Sequence, residues 1–267
     1  MTDRVGIVVL FPELLGTYGD GGNAVVLAKR LAWRGIDADI VTVEADQPVP
    51  STGAVYLLGG GEDGPQTAAA RQLGQDGPLH RAVDGGAVLF AVCAGMQIAG
   101  RSFPGIGGVA EPGLGLLACE TVRTDEPRAV GELLVEPDPE LGLGPLTGFE
   151  NHGGRTRPDP GAATLGTVAA GVGNGSVSAP AGRPATEGVL TRHGRGRALG
   201  TYLHGPALAR NPALADLVLG WALDVDLEPL DDHDADELRR ERLAAVRAGH
   251  LDGVAHRTWR DRLLRRN

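Results

Sequence analysis

The feature that most restricts this chain is a six-residue apolar run, Ala87 to Val92, that ends on Cys93-Ala94-Gly95-Met96-Gln97. A continuous apolar run of that length reads as a strand buried on both faces, the kind found in parallel sheets. The small residues after it permit a sharp turn into a helix beginning near Met96. A buried strand that delivers a thiol to a strand-to-helix turn has the geometry of a nucleophile elbow, with sulfur in place of a hydroxyl. The bland alternative is that Cys93 is simply a small buried hydrophobe.

The segments around it repeat the same alternation. Val5 to Leu10 reads as a buried strand rather than a secretion signal: the apolar stretch is short, and Asp3 and Arg4 flank it without a small-residue cleavage site. A glycine-rich loop, Gly16-Thr17-Tyr18-Gly19-Asp20-Gly21-Gly22, leads into a helix over about 23–33. Asn23 is its expected cap; Ala24, Leu27, Ala28 and Leu31 form its apolar stripe, and Gly35 ends it. Strands follow over 36–43 and 54–58, the second running into Gly59-Gly60-Gly61, and a short helix around 79–83 precedes the Cys93 strand. This alternation predicts an α/β fold with a parallel sheet covered on both faces.

Beyond Arg101 short strand-like pieces recur without long helices: 116–122, 129–135, 146–150, 188–191 and 198–203. Gly- and Pro-rich turns separate them, which predicts a mixed or antiparallel extension. A final packing helix is expected over 211–223. The pattern divides into a main domain, 1–225, and a charged helical C-terminal tail, 226–267, with a helix over about 235–248 and Arg-dense residues to Arg266. That tail is either a solvated helix or a surface for a partner.

Composition limits the chemistry. A formal charge of −9 opposes nucleic acid as a main partner. Two cysteines, Cys93 and Cys119, make neither a disulfide framework nor a metal-binding spacing, so a reduced cytoplasmic setting and no metal are expected. No run approaches the ~18 apolar residues of a membrane span.

A cysteine nucleophile needs a base and an oxyanion site. Of seven histidines, His80, His193, His233, His250 and His256 lie in polar surroundings and read as surface residues. His204 follows the strand ending at Leu203, and His152 lies in Phe149-Glu150-Asn151-His152-Gly153-Gly154. Spacing alone leaves both open as the base. Backbone N–H groups of the Gly59–Gly61 turn and of Ala94 are candidates for binding a tetrahedral intermediate's oxygen.

Together these motifs resemble the class I glutamine amidotransferases of the cobyric acid synthase type. Gly59-Gly60-Gly61, Cys93 to Gln97, Gly148 to Thr156 and Gly200 to Gly205 appear in the order that family uses. Leu15 to Asn23 and Arg128-Ala129-Val130-Gly131-Glu132 extend the resemblance to the glutaminase subunits of lipid II isoglutaminyl synthases. The resemblance implies a flavodoxin-like three-layer fold with a mostly parallel central sheet. It implies Cys93 as nucleophile, His204 as general acid and base, and Gly60 and Ala94 N–H groups as the oxyanion hole. Arg128 would clamp the α-carboxylate of L-glutamine, with Gln97, Asn151 and His152 shaping the pocket.

Many members of the class place a Glu two residues after the histidine to orient it; here that position is Pro206. The sequence therefore suggests that a carboxylate from a partner completes the site. No Gly-x-x-x-x-Gly-Lys-Ser/Thr loop is present, so no cofactor is expected in this chain. ATP and Mg would belong to a separate Mur ligase-like synthetase of the MurT type, held as a heterodimer. The ammonia would amidate the D-glutamate α-carboxylate of lipid II. Another acceptor, such as a corrinoid, or a catalytically silent partner-binding module are the alternatives.

Overall fold

A computed structural model of the chain describes residues 4–16, 19–179 and 182–248. The loop residues Thr17 and Tyr18, and the tail beyond 248 with His250, His256 and most of the Arg-rich run, lie outside the described residues.

The first half alternates as its apolar runs dictate. In chain order come β1 (Val5–Leu10), α1 (Pro12–Leu15), α2 (Gly22–Ala32), β2 (Ala38–Val43), β3 (Val55–Leu58), α3 (Asp63–Leu73), α4 (Pro78–Asp84), β4 (Val88–Val92) and α5 (Ala94–Ala99). Short strands follow: β5 (Ser102–Pro104), β6 (Ala110–Pro112), β7 (Cys119–Arg123), β8 (Ala129–Pro137), β9 (Leu146–His152), β10 (Gly154–Pro158), β11 (Gly166–Ala170) and β12 (Thr186–Glu187). The chain then returns through β13 (Val189–His193), β14 (Gly196–Thr201), α6 (Ala207–Arg210), α7 (Pro212–Leu223) and α8 (His233–Arg247).

The main sheet has six strands in the order β13-β14-β4-β3-β1-β2, all parallel except β13. Its central strands β3 and β4 are buried at every residue, as their unbroken apolar sequences require. Helices α2 and α7 pack on one face, and α3 and α5 on the other. The intervening strands form smaller antiparallel sheets, the largest ordered β12-β11-β8-β9. An antiparallel bridge between Phe149 and His204 ties that sheet to the end of β14.

Several local expectations change. Asn23 does not cap α2: it is buried within the first turn, and its Oδ1 accepts the Leu208 N–H, joining α2 to α6. Helix α3 has no counterpart among the expected elements. Its opening Asp63-Gly64-Pro65 reads as a turn, yet Pro is tolerated in a first helical turn, where its missing N–H has no partner to lose. Helix α8 packs on β8 and β9 with Val246 buried. Arg242 pairs with Glu132, which also holds Arg210. Arg30, almost fully buried, is clamped between Asp216 and Asp232 and fixes the approach to α8.

Candidate functional site

Three adjacent parallel strands end together. Leu58 pairs with Ala91, and Val92 with Thr201, so the residues after β3, β4 and β14 emerge side by side at one rim. Those residues are Gly59-Gly60-Gly61, Cys93 and Tyr202-Leu203-His204. Crevices beyond the carboxyl ends of parallel strands are where such folds place ligands.

Cys93 has φ 53 and ψ −107, a backbone conformation that costs about 1–3 kcal/mol unless its surroundings hold it. They do. The Cys93 N–H donates to Thr201 O at 2.8 Å, Gly95 N–H to Gly59 O at 3.0 Å, and Gln97 N–H to Cys93 O at 3.0 Å. Gly95 is required for this approach, since a Cβ there would lie 2.2 Å from the Leu58 carbonyl oxygen. The turn therefore presents sulfur at the rim while the backbone around it is clamped to both neighbouring strands. Cys119 is the contrast: it is fully buried on an ordinary strand, and burial pushes its thiol up to about 12.

His204 is 1% exposed, and its backbone is fixed by paired bonds to Phe149 at 2.8 and 3.2 Å. Its Nδ1 lies 3.2 Å from Oδ2 of Asp20, which is also buried, so Nδ1–H donates to that carboxylate. Burial opposes the imidazolium, but hydrogen bonds to Asp20 and Cys93, with the negative charge on both, outweigh it and push the His204 pKa up to about 10. Asp20 comes from the glycine-rich loop before α2. The carboxylate expected from a partner is thus present within the chain.

Asp20 also changes the expected oxyanion hole. The Gly60 N–H donates to Asp20 Oδ2 at 2.9 Å, so in this structure it does not point to substrate. Gly61 and Ala94, not Gly60, line the cavity next to Cys93.

That cavity holds about 350 Å³ and is lined by Cys93, Gln97, Arg128, Asn151 and His152 together with Glu62, Asp63 and Arg123. Arg128 donates through Nε to Asn151 Oδ1 at 2.6 Å and through Nη2 to Asn151 O at 3.1 Å. Cys93 Sγ lies 3.9 Å from the same carbonyl. Gln97 bridges two buried groups, accepting from Gln66 at 2.9 Å and donating to Tyr202 Oη at 3.2 Å. Tyr202 continues to Thr156 at 2.8 Å, and His152 stacks on its ring with centroids 3.6 Å apart. Gln97 and His152 thus line the cavity with their polar groups already engaged by neighbouring residues. His152 is buried, with Nδ1 at 2.9 Å from Gly154 O and Nε2 at 3.2 Å from Glu150 Oε2, which removes it as the rival base. His80 and His193 bond to the Leu114 and Leu116 carbonyls and line no part of this cavity, and His233 is exposed on α8.

The sequence offered Asp20 only as part of the glycine-rich loop, not as the partner of His204. A lone carboxylate among glycines, just before a helix, was the available signal.

Among the described residues there is no cluster of His, Cys, Asp and Glu suited to a metal, and no helix long and apolar enough to cross a membrane. The CobB/CobQ-like glutamine amidotransferase domain model matches residues 6–212. A Staphylococcus aureus protein, lipid II isoglutaminyl synthase (glutamine-hydrolyzing) subunit GatD, is 31% identical over 88% of this chain and 93% of its own. The Streptococcus pneumoniae protein of the same name is 29% identical over 89% and 90%. A solved glutamine amidotransferase covers 80% of this chain and 98% of its own at 19% identity, with a TM-score of 0.47.

Proposed function

Because the chain belongs to the CobB/CobQ-like glutamine amidotransferase family, we propose that it hydrolyses the side-chain amide of free L-glutamine and passes the ammonia to a separate ATP-dependent ligase. The acceptor is the D-glutamate α-carboxylate of lipid II, which becomes D-isoglutamine; the names and coverage of the two relatives support this choice. The observation that carries the glutaminase reading is a strained Cys93 facing a histidine whose far nitrogen is held by a buried carboxylate.

The chemistry follows from those contacts. Cys93 sulfur, with its proton on His204, attacks the glutamine amide carbon. The carbonyl oxygen becomes an oxyanion next to the backbone N–H of Ala94, with the Gly59–Gly61 turn on its other side. His204 gives its proton to the leaving nitrogen, ammonia departs, and a γ-glutamyl thioester remains. Neutral His204 then takes a proton from water as it attacks the thioester, releasing glutamate and restoring the imidazolium beside the sulfur anion. Asp20 keeps Nδ1 protonated throughout, so that the nitrogen facing sulfur is the one that exchanges protons. Arg128, steadied by Asn151, offers the planar fork that suits the α-carboxylate.

The test is Cys93→Ala in the assembled complex. Amidation driven by glutamine should be lost, while amidation driven by added ammonia persists. Equal loss of both would reject the division of labour between this chain and its ligase.

A further inference from the structure

The proposed reaction leaves the substrate's α-ammonium without a partner. Within the glutaminase reading, the cavity supplies one. Its charged lining divides into two guanidinium groups, Arg123 and Arg128, and two carboxylates, Glu62 and Asp63. An α-amino acid carries both charges on one carbon, so a clamp on its carboxylate brings a bare ammonium into the same small space. An ammonium partly removed from water needs an acceptor, and an anionic one stabilises it most.

Most side-chain acceptors around the cavity are already engaged. Gln97 Oε1 accepts from Gln66, and Asn151 Oδ1 accepts from Arg128. Both ring nitrogens of His152 meet the Gly154 carbonyl and Glu150. Asp63 pairs with Arg123 at 3.2 Å. Glu62 is the remaining carboxylate. It occupies the N-cap position of α3 with extended backbone, φ −85 and ψ 163, yet its side chain makes no cap hydrogen bond. Its carbonyl, by contrast, starts the helix by accepting the Gln66 N–H at 2.9 Å. The backbone just before it is immobilised: a Cβ on Gly61 would lie 2.7 Å from the Leu14 carbonyl oxygen, so only glycine lets the turn rest against α1. A rigid turn next to the nucleophile thus carries a carboxylate that its own helix does not use.

We propose that Glu62 receives the α-ammonium of the substrate and, opposite Arg128, restricts the site to free α-amino acids. A glutamine within a peptide chain has neither charge on its α-carbon and would leave both ends unpaired. Glu62 is therefore a specificity-determining residue that acts in binding rather than in bond cleavage.

The experiment compares the full wild-type chain with Glu62→Gln on two substrates. One is L-glutamine; the other is 4-carbamoylbutanoate, which has the same amide and carboxylate but no ammonium. Glu62→Gln should reduce kcat/KM for L-glutamine about 10–100-fold, mostly through KM, as expected for losing a charge-assisted contact. Hydrolysis of 4-carbamoylbutanoate, already slow in the wild type, should change by less than about 3-fold, because the contact it lacks cannot be lost twice. Asp63→Asn should leave the preference for glutamine in place. Equal losses on both substrates, no loss on glutamine, or a preference abolished by Asp63→Asn instead would each overturn the role of Glu62. A wild-type chain that hydrolyses neither compound overturns the glutaminase reading, and this assignment with it.

Discussion

Two buried histidines in this molecule each sit 3.2 Å from a buried carboxylate, and their surroundings push them in opposite directions. His204 faces Asp20, and its pKa is pushed up to about 10. His152 faces Glu150, and burial holds its pKa below the ordinary histidine value even though Glu150 favours the charged ring. The difference lies in what else each group touches. Glu150 already accepts backbone N–H groups from Val172 at 2.7 Å and Gly173 at 2.9 Å, which spread its charge before the histidine is counted. His152 also places Nδ1 2.9 Å from Gly154 O, so both its nitrogens are taken up by neighbouring acceptors. His204 spends only Nδ1 on its carboxylate, and its other partner is the Cys93 sulfur, itself able to carry charge. A carboxylate contact alone does not make a catalytic histidine. The second nitrogen must face the reacting atom.

That contrast breaks most sharply by removing each ring. His204→Gln should lower kcat for glutamine hydrolysis about 10³–10⁴-fold, the usual size of a lost general acid and base. His152→Gln, measured in the same assay, should cost less than about 10-fold. A comparable loss in both variants would erase the distinction drawn here.

Asp20→Asn comes next in size, at about 10²–10³-fold, because Asn can stabilise the wrong tautomer and supports no imidazolium. The pH dependence gives the sharper reading. In the wild type the imidazolium persists until pH approaches about 10, so the alkaline limb of kcat/KM should lie there. With Asp20 neutralised, the His204 pKa falls and the limb should move to lower pH. The same linkage applies to stability. His204 has a raised folded pKa, so its contribution is fully present below the unfolded value of about 6.5 and is lost as pH rises through about 10. Denaturation of Asp20→Asn should show a weaker loss across that window. An unmoved alkaline limb would mean that another group holds the His204 proton.

The strand carrying Cys93 and the alternation that makes a parallel sheet were legible because a fully buried strand needs an unbroken apolar run, and such runs stand out. Cys93, Arg128 and His204 sat at strand exits or in motifs, and the fold brings Cys93 and His204 to one rim. Asp20 and Glu62 were harder, for different reasons. Asp20 meets His204 across 184 positions of sequence, and no local pattern registers a contact closed by the sheet. Glu62 precedes an α3 whose first turn holds Gly64 and Pro65, both poor helix formers, so no local pattern marks the helix or its N-cap. Gly60 taught the reverse lesson. Its place in a glycine triplet suggested an open N–H, and only the fold revealed that Asp20 already accepts it.

The smallest catalytic effect should come from Glu150→Gln, and it sharpens the comparison by separating support from chemistry. Glutamine keeps the shape of the side chain but turns one oxygen into a donor, so Val172 N–H or Gly173 N–H loses its acceptor in a buried place. An unsatisfied buried donor costs about 1–3 kcal/mol, which a lowered Tm should register. The new amide can still donate to His152 Nε2, and the ring remains stacked on Tyr202. Asn151, the anchor of Arg128, keeps its place on β9 through ladder pairing with Val130. Turnover below the melting transition should therefore fall by less than about 3-fold, with the alkaline limb unmoved. If that limb shifted as in Asp20→Asn, the Glu150–His152 pair would belong to the catalytic cycle, and the two pairs would be parts of one relay.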